Sequence, residues 1–375
     1  MTLVTSRPAP SRAASGNGFA PGGEFSVGAE EELLLVGADN LLAAGGTADL
    51  LATLGPRATG LGTVMPEVFG AEIEFASVVC RDADQVWTRL HRLRAALASA
   101  GGRAMAVGVH PAGAFGDATL TDAPRYRAIG ASLGGLLRTP TAALQVHVGM
   151  PDAATAVTAY RGLRHHLPVL RALTAASPYW HGQDSGLASA RWAVVGSYPR
   201  SGVPPAVSSW DEYAALTASV LAAAEAPDHT YLWWDLRLQP RLGTIEVRVM
   251  DAQPSLAVAA GLVALVQGLA RAAVERPVLV EMPAPVLAEN DFRAARYGLN
   301  ARLADSDGML RPARKLAAGL VAQARAALGT DGLDGPLDAI IRLLVAETEP
   351  ERQRRLHQQH GMPALLDDLV LRTLT

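Results

Sequence analysis

Glu30, Glu31 and Glu32 follow one another inside an otherwise apolar run, Phe-Ser-Val-Gly-Ala-Glu-Glu-Glu-Leu-Leu-Leu-Val. In an extended chain successive side chains alternate, so Glu30 and Glu32 share one face and Glu31 takes the other. Adjacent carboxylates on one face repel each other. Burying them is costly unless a cation or hydrogen-bond donors compensate, which makes a divalent metal an economical explanation. An exposed edge strand, charged to deter aggregation, explains the same triplet equally well.

Two further segments repeat the device. In Ala-Glu-Ile-Glu-Phe-Ala-Ser, Glu72 and Glu74 share a face opposite Ile73 and Phe75, a pattern that any sheet with one wet side also produces. In Gly-Thr-Ile-Glu-Val-Arg-Val-Met-Asp, Glu246 and Arg248 lie opposite Ile245, Val247 and Val249, which a plain ion pair would explain. In Leu-Gln-Val-His-Val-Gly, Gln145 and His147 again share a face. Taken together, the polar faces describe one sheet surface lined by glutamates and arginines. Oxygen donors select hard cations, so Mg²⁺ or Mn²⁺ is expected rather than zinc, with arginines gripping phosphoryl oxygens bidentately. Arg237 and Arg241, in Trp-Trp-Asp-Leu-Arg-Leu-Gln-Pro-Arg-Leu-Gly, add positive charge nearby.

Composition narrows the chemistry. Lys315 is the only lysine among 33 basic residues, so no Gly-x-x-x-x-Gly-Lys phosphate loop exists, and any phosphate must be neutralised by arginine, metal or backbone. The formal charge of -3 gives no global positive field for nucleic acid or an anionic membrane, so the partners are expected to be small molecules. One cysteine, Cys80, allows no internal disulfide and no cysteine-based metal cluster, which fits a reducing cytoplasm.

Residues 1–24 are rich in Pro, Ser, Gly and Ala without apolar periodicity and read as a disordered tail. From Phe25 onward no linker interrupts the chain, and 25–375 is expected to form a single domain. Strands are expected from Phe25, over Ala71–Val79, Arg103–Val109 and Ala143–Val148, and in the pair Trp233–Leu238 and Thr244–Met250. Helices are expected over Asp82–Ala100, Asp152–Ala175, Trp210–Ala224 and Leu256–Val274, with an almost wholly helical part after Glu289. Without a regular strand–helix–strand rhythm, the fold class is α+β with a largely antiparallel sheet.

The segments above, with Ser-Pro-Tyr-Trp-His-Gly-Gln-Asp-Ser-Gly-Leu-Ala-Ser-Ala-Arg and Glu-Asn-Asp-Phe-Arg-Ala-Ala-Arg-Tyr-Gly-Leu, form an ordered series spanning about residues 25 to 375. The series resembles the carboxylate–amine ligases called glutamate–cysteine ligase type 2, whose sheet is related to that of glutamine synthetase. The resemblance implies ATP- and Mg²⁺-dependent joining of a carboxylate, usually the γ-carboxylate of glutamate, to cysteine or another amine through an acyl phosphate. It also implies Glu30, Glu32, Glu74, Glu246 and His147 as metal ligands and Arg248 as the phosphoryl clamp beside a catalytic Glu246; Arg237 and Arg241, by their charge in a chain with one lysine, are expected as phosphate contacts. Gln145, which stands where relatives of glutamine synthetase carry a histidine, and Arg191, Asn290, Arg293, Arg296 and Tyr297 become candidate contacts to substrate or nucleotide. A structural hydrogen-bond network would account for the last five equally well. A homodimer is suggested by the same resemblance. Two other readings keep the same sheet but give it different work. One is phosphoryl transfer to a carboxylate or guanidino group without ligation, and the other is an ATP-binding regulator without turnover.

Overall fold

The polar faces noted above belong to one antiparallel sheet. A computed structural model describes residues 18–43, 47–329 and 335–375. Five of the sheet's strands are β1 (Val27–Leu35), β2 (Gly62–Pro66), β3 (Glu72–Ser77), β4 (Ala104–Met105) and β5 (Ala143–Gly149); the hairpin Leu236–Gln239 and Thr244–Asp251 completes it. The order is Leu236–Gln239, Thr244–Asp251, β5, β1, β3, β2, with β4 pairing to the end of β1. Every pairing is antiparallel.

Register matters more than order here, because a slip of one residue would carry every side chain to the opposite face. Glu32 stands opposite Glu74, Glu30 opposite Gln145, His147 opposite Glu246, and Glu246 opposite Arg237. All of these face one way. The other face carries Leu33, Ile73, Phe75, Val146, Val148, Ile245 and Val247, all fully buried. It is covered by α2 (Ala83–Ser99), α4 (Ala153–Thr174) and α7 (Leu256–Glu275). Burial of such side chains contributes roughly 1.5–3 kcal/mol each, which fixes the sheet on its helices. The helices start where the sequence signals them: the carboxylates of Asp82 and Asp152 accept from the backbone N–H of Gln85 and Thr155, and the Ser255 hydroxyl accepts from that of Val258. By length and composition α7 could cross a membrane, but it is mostly buried among the other helices.

Glu31, alone of the triplet, points into this helical side. Its carboxylate pairs bidentately with Arg94 of α2, at 2.5 and 2.9 Å, and both side chains are almost wholly buried. Arg94 also donates to the carbonyls of Gln253, Pro254 and Thr373. One guanidinium thus ties the sheet to α2, to the segment after the last strand and to the C-terminal helix.

The remaining helices are α1 (Thr47–Arg57), α3 (Pro124–Leu133), α5 (Arg191–Gly196), α6 (Trp210–Ala223), α8 (Ala284–Tyr297), α9 (Ala313–Leu328), α10 (Leu337–Val345) and α11 (Glu349–Leu374). The C-terminal part is helical as expected, apart from a small hairpin, Arg302–Ala304 with Leu310–Pro312. Of the other expected strands, Arg103–Val109 shrinks to the two residues of β4, and Trp233–Leu238 divides, with Trp233–Trp234 pairing instead to Ser201–Gly202.

The expected N-terminal tail falls partly on residues 1–17, which lie outside the described set. Residues 18–24 are part of the fold, contrary to expectation. Phe19 is buried against Trp210, and the backbone N–H groups of Ala20 and Gly22 donate to the carbonyls of Pro240 and Met150. The crossing over the hairpin turn needs glycine on both sides: a Cβ on Gly22 or on Gly243 (φ +66°) would collide with the other segment's backbone.

Removing one partner of a buried pair costs about 3–5 kcal/mol. Arg94→Met should destabilise the protein more than Glu31→Gln, because only the first also strips donors from three carbonyls. Urea unfolding followed by tryptophan fluorescence checks the order; an equal or smaller loss for Arg94→Met would show that those carbonyls find other donors.

Candidate active site

The polar face of the sheet floors a cavity of about 460 Å³. Glu30, Glu32, Glu74, Gln145, Arg191, Arg237 and Arg248 all line it, as do Glu67, Glu72, Arg125, Tyr126, Tyr198 and Asp235. The structure therefore brings the sheet residues singled out in the sequence to one place.

Ligand-type atoms gather into two trios, each with its members within 4.8 Å of one another: Glu30, His147 and Glu246, and Glu32, Glu67 and Glu74. In the first, His147 Nδ1 is 2.9 Å from the Thr244 hydroxyl, and its buried Nε2, without a hydrogen-bond partner, lies 3.4 Å from Glu30 and 4.0 Å from Glu246. A nitrogen so placed, between two carboxylates, fits a metal ligand whose ring is oriented by its other nitrogen. The second trio offers carboxylate oxygen alone, the donor set of a hard cation.

The two trios differ in electrostatics. Burial would raise Glu246, but Arg237, Arg248 and His147 outweigh it and hold the carboxyl well below its ordinary range. Arg237 donates to both Glu246 oxygens, at 2.6 and 3.0 Å; Gln239 and Arg248 donate to them as well. The second trio has weaker compensation from arginine. Burial, then the charge of Glu67, pushes Glu32 up to about 7, against the opposing pull of Arg191 and Arg248. Burial and mutual repulsion likewise raise Glu74, and burial raises Glu67. This second trio is the one that most needs an added cation.

Gln145 spans the two, its amide N–H donating to Glu32 and its carbonyl accepting from Arg248. Arg248 sits where the pairing between Thr244–Asp251 and β5 shifts register, a bulge that aims its side chain over the sheet. Glu72 is spent on structure: its oxygens accept from the backbone N–H groups of Phe69 and Thr141. Arg191, buried and with Nε unpartnered, donates to the Arg248 carbonyl. Beneath the wall, Arg171 joins Asp235, which lines the cavity, to Asp291 of α8.

Other candidates lie elsewhere. Arg241 is exposed in the turn after Gln239 and does not line the cavity, because the strand has already ended. Residues of α8 are displaced because that helix packs on α4, on the far side of the sheet. Asn290 is buried and clamps Ala304, its amide donating to the carbonyl and accepting from the N–H; Arg293 donates to the Arg302 carbonyl. Arg296 and Tyr297 line a separate cavity of about 310 Å³ with Asp184 and Arg354. Conversely, the sequence reading passes over Glu67, which follows a short strand without alternation. A solitary acid after Met65-Pro66 carries no pattern.

Residues 26–363 match the profile of Glutamate-cysteine ligase family 2. A Haloferax volcanii protein named glutamate–cysteine ligase is 32% identical over 360 residues, covering 92% of this chain and 96% of that one. A Rubrobacter xylanophilus protein provisionally named glutamate–cysteine ligase 2-3 is 33% identical over 344 residues, covering 90% and 93%. Among solved structures, glutamate–cysteine ligase from Francisella tularensis in complex with AMP superposes with a TM-score of 0.70 at 13% identity, covering 94% of this chain and 89% of that one. A bifunctional glutathione synthetase from Pasteurella multocida gives 0.67 at 14% identity, with 93% of this chain and 52% of that one covered. The family match and these relatives define an ATP-dependent ligase that joins a carboxylate to an amine. The chain belongs to glutamate–cysteine ligase family 2.

A raised carboxyl must release its proton before it can ligate a cation. Below pH 7 Glu32 keeps a proton that Mg²⁺ or Mn²⁺ has to displace; above, it does not. Cation affinity should therefore rise from pH 6 to pH 8, with proton uptake by buffer detectable in titration calorimetry at pH 6.5. Affinity that is flat across this range would count against the Glu32 trio as the cation site.

Proposed function

We propose that the protein joins the γ-carboxylate of glutamate to the amine of a second small molecule, at the expense of ATP and through an acyl phosphate. The observation that carries this reading is the convergence, on one sheet face, of two carboxylate-rich trios with Arg248 between them. Glu32, Glu67 and Glu74, and Glu30, His147 and Glu246, would each hold a Mg²⁺ or Mn²⁺ ion. Such ions would offset charge on the transferred phosphoryl group.

The remaining work falls to side chains that position and neutralise. Arg248 is held by Glu246 and Gln145, so its guanidinium is pre-oriented toward phosphoryl oxygens rather than recruited during the reaction. Arg237, clamped by Glu246 and the Leu232 carbonyl, supports the same end. Arg191 offers a buried cation for a substrate carboxylate. In the first step a γ-carboxylate oxygen bonds to the γ-phosphorus as the bond to ADP breaks. In the second, the amine nitrogen bonds to the acyl carbon, the carbon–oxygen bond to phosphate breaks, and the amine gives up a proton.

With glutamate labelled by ¹⁸O in its γ-carboxylate, one labelled oxygen should appear in the released phosphate. ADP formation that needs no amine, or phosphate free of label, would instead favour simple phosphoryl transfer. Arg248→Gln should lower kcat by roughly 10²–10³-fold, the usual cost of losing one transition-state donor. A loss confined to KM would assign Arg248 to ground-state binding.

A further inference from the structure

The two ends of the cavity are chemically unlike. The side-chain partners of Glu246 are polar: Arg237, Arg248 and Gln239 donate to it, and His147 lies 4.0 Å away. At the Glu67 end the chain runs directly into Val68 and Phe69, and the Tyr126 hydroxyl donates to the Pro66 carbonyl, anchoring α3 beside the trio. There α3 and the turn after it bring Ile129, Leu133 and Leu137 against Phe69 in one buried apolar cluster, with Tyr198 packed on it. These five residues and Val195 line the cavity. Tyr126, on the same helix and packed on this cluster, bonds the carbonyl next to Glu67 and feels the charges of Glu67 and Glu74, which places α3 and its apolar residues beside the acidic trio.

In-line phosphoryl transfer puts the attacking carboxylate and the departing ADP on opposite sides of the phosphorus. If Arg237 and Arg248 grip the phosphates, the carboxylate and the amine that later attacks it lie at the Glu32, Glu67 and Glu74 end, against the apolar wall. We infer that the acceptor amine carries an apolar side chain, branched or aromatic, which this wall seats. The inference rests on the ligation reading above and narrows its second substrate. A wall of five large apolar residues and one tyrosine offers nothing specific to a thiol or a hydroxyl. It does reward added methylenes, each worth roughly 10–200-fold in kcat/KM in a fitted pocket.

The experiment uses the full-length protein with ATP, Mg²⁺ and glutamate, and reads product with hydroxylamine, leucine, isoleucine, phenylalanine, cysteine and serine as acceptors. Hydroxylamine is small enough to need no side-chain pocket, so γ-glutamyl hydroxamate reports activation of the carboxylate alone. Leucine, isoleucine or phenylalanine should exceed cysteine and serine in kcat/KM by roughly tenfold or more. In Leu137→Ala the ratio of kcat/KM for the best apolar acceptor to that for hydroxylamine should fall by a similar factor. Hydroxamate formation with cysteine or serine preferred would overturn the inference and leave the ligation reading standing. A Leu137→Ala defect expressed in KM for ATP, with the acceptor ratio unmoved, would overturn it by seating the adenine on this wall. Absence of hydroxamate from folded protein would overturn both.

Discussion

Mutual repulsion among buried carboxylates is the constraint around which the molecule is organised. Glu30, Glu32, Glu67, Glu72, Glu74 and Glu246 crowd one side of a sheet whose other side is a dry core, so the five that sit in strands cannot relax outward without dragging their strands. The fold answers differently at each position. Glu246 is satisfied by Arg237, Arg248 and Gln239. Glu72 accepts from two backbone N–H groups, yet burial and the charge of Glu67 still hold it well above the ordinary carboxyl range. Glu32, Glu67 and Glu74 have weaker compensation from arginine and are likewise pushed toward protonation. The Arg94–Glu31 pair and the apolar face supply rigidity from behind.

How much of this is legible in the sequence depends on strand length. Glu30, Glu32, Glu74, Glu246 and Arg248 sit in strands long enough for the two-residue period to declare a face, and register then carries them together. Glu67 lies just past a five-residue strand, Gly-Thr-Val-Met-Pro, with no alternation to read, and its place comes from pairing with β3 alone. Residues 18–24 have a tail's composition, and their order comes from backbone bonds to a hairpin more than two hundred residues away. Neither fact has a local signature.

The α8 segment fails for a different reason. Glu-Asn-Asp-Phe-Arg-Ala-Ala-Arg-Tyr is a dense polar motif, yet density of polar groups is no measure of proximity to the chemistry. Its helix packs on α4, one layer behind the sheet, so Asn290 and Arg293 serve to hold the small C-terminal hairpin. Asp291 reaches the cavity wall, but only through Arg171 and Asp235. A motif locates residues along the chain, whereas layer order decides which of them touch substrate.

The bipolar cavity follows from the same layer logic. The hairpin Leu236–Gln239 and Thr244–Asp251 supplies arginines because its side chains must neutralise Glu246 across the register, and that requirement makes its end polar whatever the substrate. At the opposite edge, α3 is tied to the end of β2 by the hydrogen bond from the Tyr126 hydroxyl to the Pro66 carbonyl, and its Ile129 and Leu133 pack on Phe69. On the ligation and acceptor readings proposed above, charge neutralisation would set where a polyphosphate rests, while the edge helix, free of that demand, would be where the choice of amine is tuned.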